Sequence, residues 1–343
     1  MKIFNNSLIR VITAFLFVGI LSLSIHTVRS DVSAAPDFPT ASIDTKTSVV
    51  VIEIPAGATG SDVGQILFEN KVTKSALAYF RAAVADPRSA QVAPGAHELN
   101  VEISARQALA QLLDPARIPN LIKVFEGGWK SEIVDSLIKY GFTKKDVDSA
   151  FKKVVLPQGF SNAEGLLFPA QYSFPAGTSA LAAVQAMVDR FSDELTGQEL
   201  LATKGKFSPA QLLIIASLVQ AEGDTKDFDR VSRVIRNRLE ISMPLQLDST
   251  VHYVKKVRGQ IFLSTNSTLI KSPYNTYRNY GLPPTPIGNP GADAIAAALK
   301  PAIGDWLFFI TVAPGDTRFT RSNDEFLTWK TLYAKNRKAG AFK

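Results

Sequence analysis

Apolar residues mark a succession of short amphipathic elements before they mark any chemistry. The run Val49 to Ile54 has strand character, Pro55-Ala56-Gly57 forms a turn, and Val63, Ile66, Leu67 and Phe68 define one helix face. A second helix follows Lys74 through Leu77, Phe80, Ala83 and Val84, then a strand from Gly95 to Val101 and a helix from Ser104 to Leu113. A similar order begins again at Leu121 to Phe125, with the turn Glu126-Gly127-Gly128-Trp129, a helix carrying Ile133 and Leu137, and another starting at Thr143. The recurrence suggests a degenerate internal duplication. Gly159 to Gly177 is dense in Pro and aromatics, which fits a packed connector or a groove wall, and a helix from Ser179 to about Leu195 follows.

One helix differs from the rest. Ser208 is a good N-cap, Pro209 suits the first turn and Gln211 completes a capping box, while Gly223 can supply a left-handed C-terminal position. Between these ends Leu212, Leu213, Ile214, Ile215, Ala216, Leu218 and Val219 are apolar nearly all round, the mark of a helix inside a domain. Glu222 follows Leu218 by four residues and Val219 by three, so its side chain stacks on apolar surface. Desolvation and the negative end of the helix dipole are expected to raise its pKa, as a general acid requires.

The next helix, from about Asp229 to Leu239, places Val231, Val234, Ile235 and Leu239 on one face. Arg230, Arg233 and Arg236 are expected to form a solvated face, whereas Arg238 falls toward the apolar side and needs an anionic or polar partner near the site. Loops follow: Leu245 to Tyr253, Ser272 to Tyr277, Gly281 to Ile287 and Asn289-Pro290-Gly291. Their prolines, amides and aromatics suit a sugar cleft and suit structural turns equally well. A helix from Ala292 to Leu299, a strand from Trp306 to Val312 and a hairpin-like segment near Thr317 to Thr320 close the pattern.

The N-terminus changes the setting. An uncharged run of about 18 residues from Val11 to Val28, preceded by Lys2 and Arg10, is long enough to span a bilayer with the N-terminus cytoplasmic. Val32-Ser33-Ala34 offers the rival reading of a cleaved signal peptide, but Arg29 and Asp31 interrupt that region and the anchor is favoured. Both readings export the remainder. Residues 29–47, rich in Ser, Ala, Pro and Thr, form a stalk.

Composition removes several function classes. The 343-residue chain has no cysteine, so thiol catalysis, disulfides and thiolate metal sites are excluded; its three histidines, His26, His97 and His252, are scattered, which argues against a zinc site or a catalytic triad. No cofactor is expected. The net charge of +7 suits polyanionic surroundings such as a membrane surface or cell wall. Nucleic acid is not expected as a partner, because Lys144-Lys145, Lys152-Lys153 and Lys255-Lys256 are dispersed pairs and export contradicts it.

Ala216 to Glu222, Asn237-Arg238-Leu239, Leu245 to Val251, the Ser272 to Gly291 block and Glu164-Gly165-Leu166-Leu167-Phe168-Pro169 together resemble the YceG-like endolytic murein transglycosylases. The blocks occur in the family's order from roughly Val49 to Trp329. The resemblance implies an α+β protein with an N-terminal transmembrane helix, LysM-like α+β subdomains and a C-terminal mixed α/β catalytic domain. In those terms the chain divides into a cytoplasmic tail (1–10), an anchor (11–28), the stalk (29–47), a LysM-like α+β domain (48–115), a second α+β unit with connector (116–205) and a catalytic domain (206–343). The implied activity is cleavage of the bond between N-acetylmuramic acid and N-acetylglucosamine in nascent glycan strands, leaving 1,6-anhydromuramoyl ends. The implied catalytic residue is Glu222, acting as acid and then base without a second carboxylate. The implied partners are peptidoglycan glycan strands, the membrane and peptidoglycan synthases.

Two departures concern the site. The family motif carries a first acidic position where Gln220 stands, and it often carries proline where Ser249 stands. A histidine often stands where this chain has Phe326. The missing carboxylate leaves a second reading, a catalytically impaired wall-binding or division-scaffold protein. Ser217, Gln220, Asn237, Arg238, Gln246, Asp248, Tyr274, Asn275 and Tyr277 are candidates to hold substrate or to orient Glu222. Asp248 reads equally as a turn or cap carboxylate, Tyr274 and Tyr277 as sugar-stacking or packing rings, and Arg238 as a partner of Asp248 or of a muramoyl peptide carboxylate.

Overall fold

A computed structural model describes residues 35–40, 48–55, 57–119, 121–175, 177–258 and 266–342. The apolar run Val11 to Val28, the tail before it and most of the proposed stalk lie outside these residues. No helix among the described residues is long and apolar enough to cross a membrane. The described chain forms two units, one drawn from the residues up to 119 with 173–175, the other from 121–172 with 177–342. The architecture is α+β: twelve α-helices and three two-stranded antiparallel ladders among the described residues.

In the first unit, strand β1 (Val49–Ile54) is followed by helices α1 (Gly60–Glu69) and α2 (Ala76–Ala85), strand β2 (Gly95–Asn100) and helix α3 (Ala105–Leu112). β1 and β2 pair antiparallel, Val49 opposite Asn100 and Ile54 opposite Gly95. Caps set the helix starts: Thr59 and Asp62 form a capping box on α1, Ser75 caps α2, and Ser104 with Gln107 boxes α3. Ile52, Ile54, Leu67, Tyr79, Leu99 and Leu112 lie at the centre of the core.

The expected inward faces of α1 and α2 need correction. Phe68, Leu77, Phe80 and Val84 are exposed; Val63 and Leu67 of α1 and Ala83 of α2 are buried as expected, and α2 adds Ala78 and Tyr79. Close helix approach explains the choice: a Cβ on Gly64 would lie 2.7 Å from the Ala76 carbonyl oxygen, so small residues meet there and Tyr79 fills the core.

The second unit opens with β3 (Ile122–Lys123), α4 (Lys130–Tyr140), α5 (Lys144–Lys153) and β4 (Gln171–Tyr172), with Ile122 opposite Tyr172. This repeats the strand, helix, helix, strand order of the first unit with much shorter strands. Helices α6 (Ala180–Asp193), α7 (Leu195–Ala202), α8 (Pro209–Glu222), α9 (Phe228–Glu240), α10 (Asp248–Lys255) and α11 (Ala292–Leu299) follow. The chain closes with the hairpin β5 (Phe308–Ala313) and β6 (Asp316–Thr320) and helix α12 (Asn323–Lys338).

Helix α8 is the centre of this unit. Every residue from Leu212 to Val219 is buried, and α7, α9, α10 and α11 all pack against it. An apolar surface on all sides leaves that stretch no solvent face, so its direction is fixed by its neighbours. Its start is as expected, with Ser208 and Gln211 exchanging capping bonds. Its end is not: Gly223 is extended, at φ −127°, rather than left-handed. Glycine serves close packing there, since a Cβ would meet Val231 Cγ2 at 3.2 Å and Phe228 Cδ1 at 3.4 Å.

The arginine face of α9 is also corrected. Arg230 pairs with buried Asp227 and lies over the Phe319 ring. Arg233 Nε donates to the Ala302 carbonyl, and Arg236 donates to the Ala298 carbonyl while stacking on Phe207. All three are half-buried ties between α9 and its neighbours, because a guanidinium presents five donors on a stem long enough to cover apolar surface.

Candidate active site

A cleft of about 300 Å³ is lined by Trp129, Gln220, Ala221, Ser249, His252, Arg258 and Ile287 among others, and Glu222 follows Ala221 at the end of α8 and bonds Ser249. Glu222 is half-buried as a residue, and protein surrounds its carboxyl closely enough for loss of hydration to dominate its titration. Its Oε1 accepts the Ser249 backbone N–H at 3.2 Å. Loss of hydration is the main cause that pushes its pKa up to about 7, and the neighbouring Asp248 charge adds to the rise. Ser249 and Arg238 act in the opposite direction by favouring the carboxylate. A carboxyl balanced near neutrality can donate a proton and afterwards hold one, which is the property acid and base work requires.

The surrounding groups come from separate elements. Arg238, on α9, is buried; its Nε donates to the Leu307 carbonyl at 2.6 Å and its Nη1 donates to the Leu245 carbonyl. Those bonds fix a cation that interacts with Glu222, and loss of hydration lowers its pKa from the ordinary arginine range. Tyr277 donates its hydroxyl to Asp248 Oδ1, and burial together with that carboxylate raises the phenol. Glu222, Arg238, Asp248 and Tyr277 therefore form one electrostatic group around Ser249. Asp248 opens α10, where its carboxylate meets the positive end of the helix.

Other residues singled out in the sequence hold the frame. Ser217 Oγ accepts the Ile287 N–H at 3.1 Å and donates to the Ile214 carbonyl at 2.8 Å, so it pins the proline-rich loop to α8. Gln220 Oε1 accepts the Gly291 N–H at 2.9 Å, and its side chain also lines the cleft. Asn237 Nδ2 donates to the carbonyls of Gly304 and Trp306, and fully buried Asn275 donates to those of Thr268 and Ile270. Gln246 is exposed, at φ +49°. Its backbone N–H donates to the Thr276 carbonyl at 3.1 Å and so ties the turn before α10 to the Tyr277 loop. Tyr274 bonds the Thr285 hydroxyl and packs its ring 5.2 Å from that of Tyr253.

Two further ties carry no local signal in the sequence. Asn289, fully buried, accepts the N–H groups of Gly165 and Leu167 at Oδ1 and donates from Nδ2 to the Gly128 carbonyl, while its backbone bridges to Gly128 as well. Glu164, also buried, accepts the Lys130 N–H and the Tyr253 hydroxyl, each at 2.8 Å. In sequence Asn289-Pro290-Gly291 reads as a turn or as part of a cleft loop, and neither reading gives the side-chain ties, because their partners lie more than a hundred residues away. On the far wall, the guanidinium of Arg258 stacks 4.0 Å from the Trp129 ring centroid and bonds Glu132 and the Gly127 carbonyl. Among the described residues no group of three or more His, Asp or Glu side chains is placed to hold a metal ion.

Comparison with known proteins gives a consistent result. The YceG-like family matches residues 52–331. A protein of Bacillus subtilis (strain 168) named endolytic murein transglycosylase is 32% identical over 319 residues, covering 86% of this chain and 88% of that protein. A protein of the same name from Streptococcus pneumoniae serotype 2 (strain D39 / NCTC 7466) is 33% identical over 168 residues, 47% of this chain and 30% of that protein. The crystal structure of a YceG-like protein from Listeria monocytogenes matches with a TM-score of 0.52 at 27% identity, covering 82% of this chain and 98% of that one.

Proposed function

Because the chain belongs to the YceG-like family, we propose that it is an endolytic lytic transglycosylase that cuts nascent peptidoglycan strands with Glu222 as its catalytic residue. It is a lyase acting on peptidoglycan, as its named relatives are. The observation that carries the assignment of Glu222 is its placement: a carboxyl at the end of a buried helix, beside a polar cleft, with its pKa raised to about 7.

In the proposed reaction protonated Glu222 gives its proton to the glycosidic oxygen between N-acetylmuramic acid and N-acetylglucosamine as the bond to C1 breaks. The resulting carboxylate then takes the proton of the muramoyl C6 hydroxyl as that oxygen bonds C1. The proton balance closes on one residue, water is not consumed, and the product carries a 1,6-anhydro ring. A glycosidase that hydrolyses its substrate needs a second carboxylate as nucleophile or base. Here the substrate hydroxyl replaces it, so an amide at position 220 is compatible with turnover. Gln220 supports the loop through its Oε1, a role that a carboxylate oxygen could also fill.

The apolar run Val11 to Val28 is proposed to anchor the enzyme with its catalytic part outside the cytoplasm, and the first unit is proposed to be LysM-like. Peptidoglycan synthases are the proposed neighbours. Mass spectrometry of products from uncrosslinked strands tests the reaction, because hydrolysis adds the mass of water and transglycosylation does not. Glu222→Gln is expected to lower turnover by at least about 100-fold with the fold retained. Wild-type turnover in that variant would remove Glu222 from the mechanism. A second reading follows from Gln220: a wall-binding protein without turnover. It predicts that the wild-type protein pellets with sacculi while strand length stays unchanged.

A further inference from the structure

We propose that Ser249 is the positioning residue of Glu222, holding Oε1 with its amide and, once the proton has left, with its hydroxyl as well, so that Oε2 is free for the substrate. This rests on the reading of Glu222 as the acid. Three observations carry it. The Ser249 N–H, in the first turn of α10, donates to Glu222 Oε1. The Ser249 hydroxyl is buried and has no hydrogen-bond partner among the described residues, although a buried hydroxyl ordinarily has one, and it lies close enough to Glu222 to favour the carboxylate. Ser249 also lines the cleft next to the end of α8, so a group bound there would lie beside the residue that holds Glu222.

A hydroxyl left unpaired beside a carboxyl has a defined use. While Glu222 is protonated, the amide alone fixes its orientation. Once the proton has gone to the leaving oxygen, a small rotation about the Ser249 Cα–Cβ bond lets the hydroxyl donate to the new carboxylate. Hydrogen bonds to a charged acceptor are about twice as strong as neutral ones. The serine therefore stabilises Glu222 most in the state that follows proton donation, which is the state required to act as base. Three other charged or titratable groups face the carboxyl: Asp248 beside it on α10, Arg238 on α9 and Tyr277 on the following loop. Asp248 disfavours the carboxylate and Arg238 favours it, and Tyr277 is occupied with Asp248. Ser249 is the one neighbour among these that contacts Glu222 by a hydrogen bond.

The test compares Ser249→Ala, which keeps the amide, Ser249→Pro, which removes both donors, and Ser249→Thr, which keeps both. Each is read by the pH profile of kcat and by carbon-13 NMR titration of the Glu222 carboxyl in the full chain. Removing donors to the carboxylate raises the pKa, so the descending limb of the profile should move up in Ser249→Ala and by about one unit in Ser249→Pro. The alanine variant should also lose about tenfold in kcat. Ser249→Thr should restore both the limb and kcat. Proline is tolerated in the first helical turn, and the alanine and threonine variants decide the matter if Ser249→Pro does not fold. A Glu222 titration in Ser249→Ala identical to wild type, or a threonine variant that behaves like alanine, overturns the proposal. If the wild-type protein makes no anhydro product, the reaction assignment fails instead, while the carboxyl titration still reports on Ser249.

Discussion

Glu222 keeps its proton across a pH range in which an unfolded chain would have lost it, and that difference affects stability as well as chemistry. Its pKa is about 7 in the fold against an ordinary 4.5. The folded state binds the proton more tightly, so the stabilisation is complete below about pH 4.5 and is lost as pH rises through about 7. At about pH 8 the wild-type protein carries a poorly hydrated carboxylate that Glu222→Gln lacks. The variant should therefore be more stable by about 1–3 kcal/mol at about pH 8 and nearly equal at about pH 4.5, measured by urea unfolding at both values. Equal stability at the higher pH would show that the carboxyl is hydrated in the native state. The position of Glu222 at a buried helix end was legible in sequence because the cap of that helix and the apolar run before the glutamate are local signals. Its partners were not: Ser249 lies 27 residues on, and Tyr277 meets Asp248 across a separation of 29 residues.

At the scale of elements, the helices expected from caps and periodicity lie within a residue or two of their expected bounds, as with α8 from Ser208 and α11. Helices α7, α10 and α12 were not expected, and the segment from Leu245 to Tyr253, read as loop, carries α10 from Asp248 onward. The face of α2 did not follow its periodicity, apart from Ala83, and α1 departed only at Phe68, because which apolar residues turn inward depends on how closely two helices approach, and no single helix encodes that. The loops hold the least legible part of the site. Asn289 joins three of them, the Gly127-Gly128 turn, the Gly165 to Leu167 segment and the loop ending at Gly291, through side-chain bonds to Gly165, Leu167 and Gly128. Asn289→Ala would leave the N–H groups of Gly165 and Leu167 buried without partners, while the Gly128 carbonyl keeps the backbone N–H of residue 289. The expected loss is about 3–5 kcal/mol in denaturant unfolding. The damage starts at the loops, so amide hydrogen exchange should quicken at Gly165 and Leu167 before α8 is affected. A loss below about 1 kcal/mol would mean that water replaces the amide.

For the whole molecule, the sequence outside the described residues decides where the enzyme works. The run Val11 to Val28 would extend about 27 Å as a helix, close to the thickness of a bilayer core. In the proposed anchor Lys2 and Arg10 would set the orientation, and the net charge of +7 favours anionic surroundings. Attraction by charge alone is screened by salt, whereas a spanning helix is not released by it. The full chain should therefore stay in the membrane fraction through a wash at about 1 M salt, and a chain lacking residues 1–34 should become soluble. On detached glycan strands the two should turn over within about twofold of each other, since no residue of the proposed site is removed. On strands still held at the membrane the shortened chain should fall by at least about tenfold, because the proposed anchor would confine enzyme and substrate to one surface and raise their effective concentration. Release of the full chain by salt, or a mature N-terminus beginning just after Ala34, would replace the anchor by a cleaved signal and predict equal rates on both substrates.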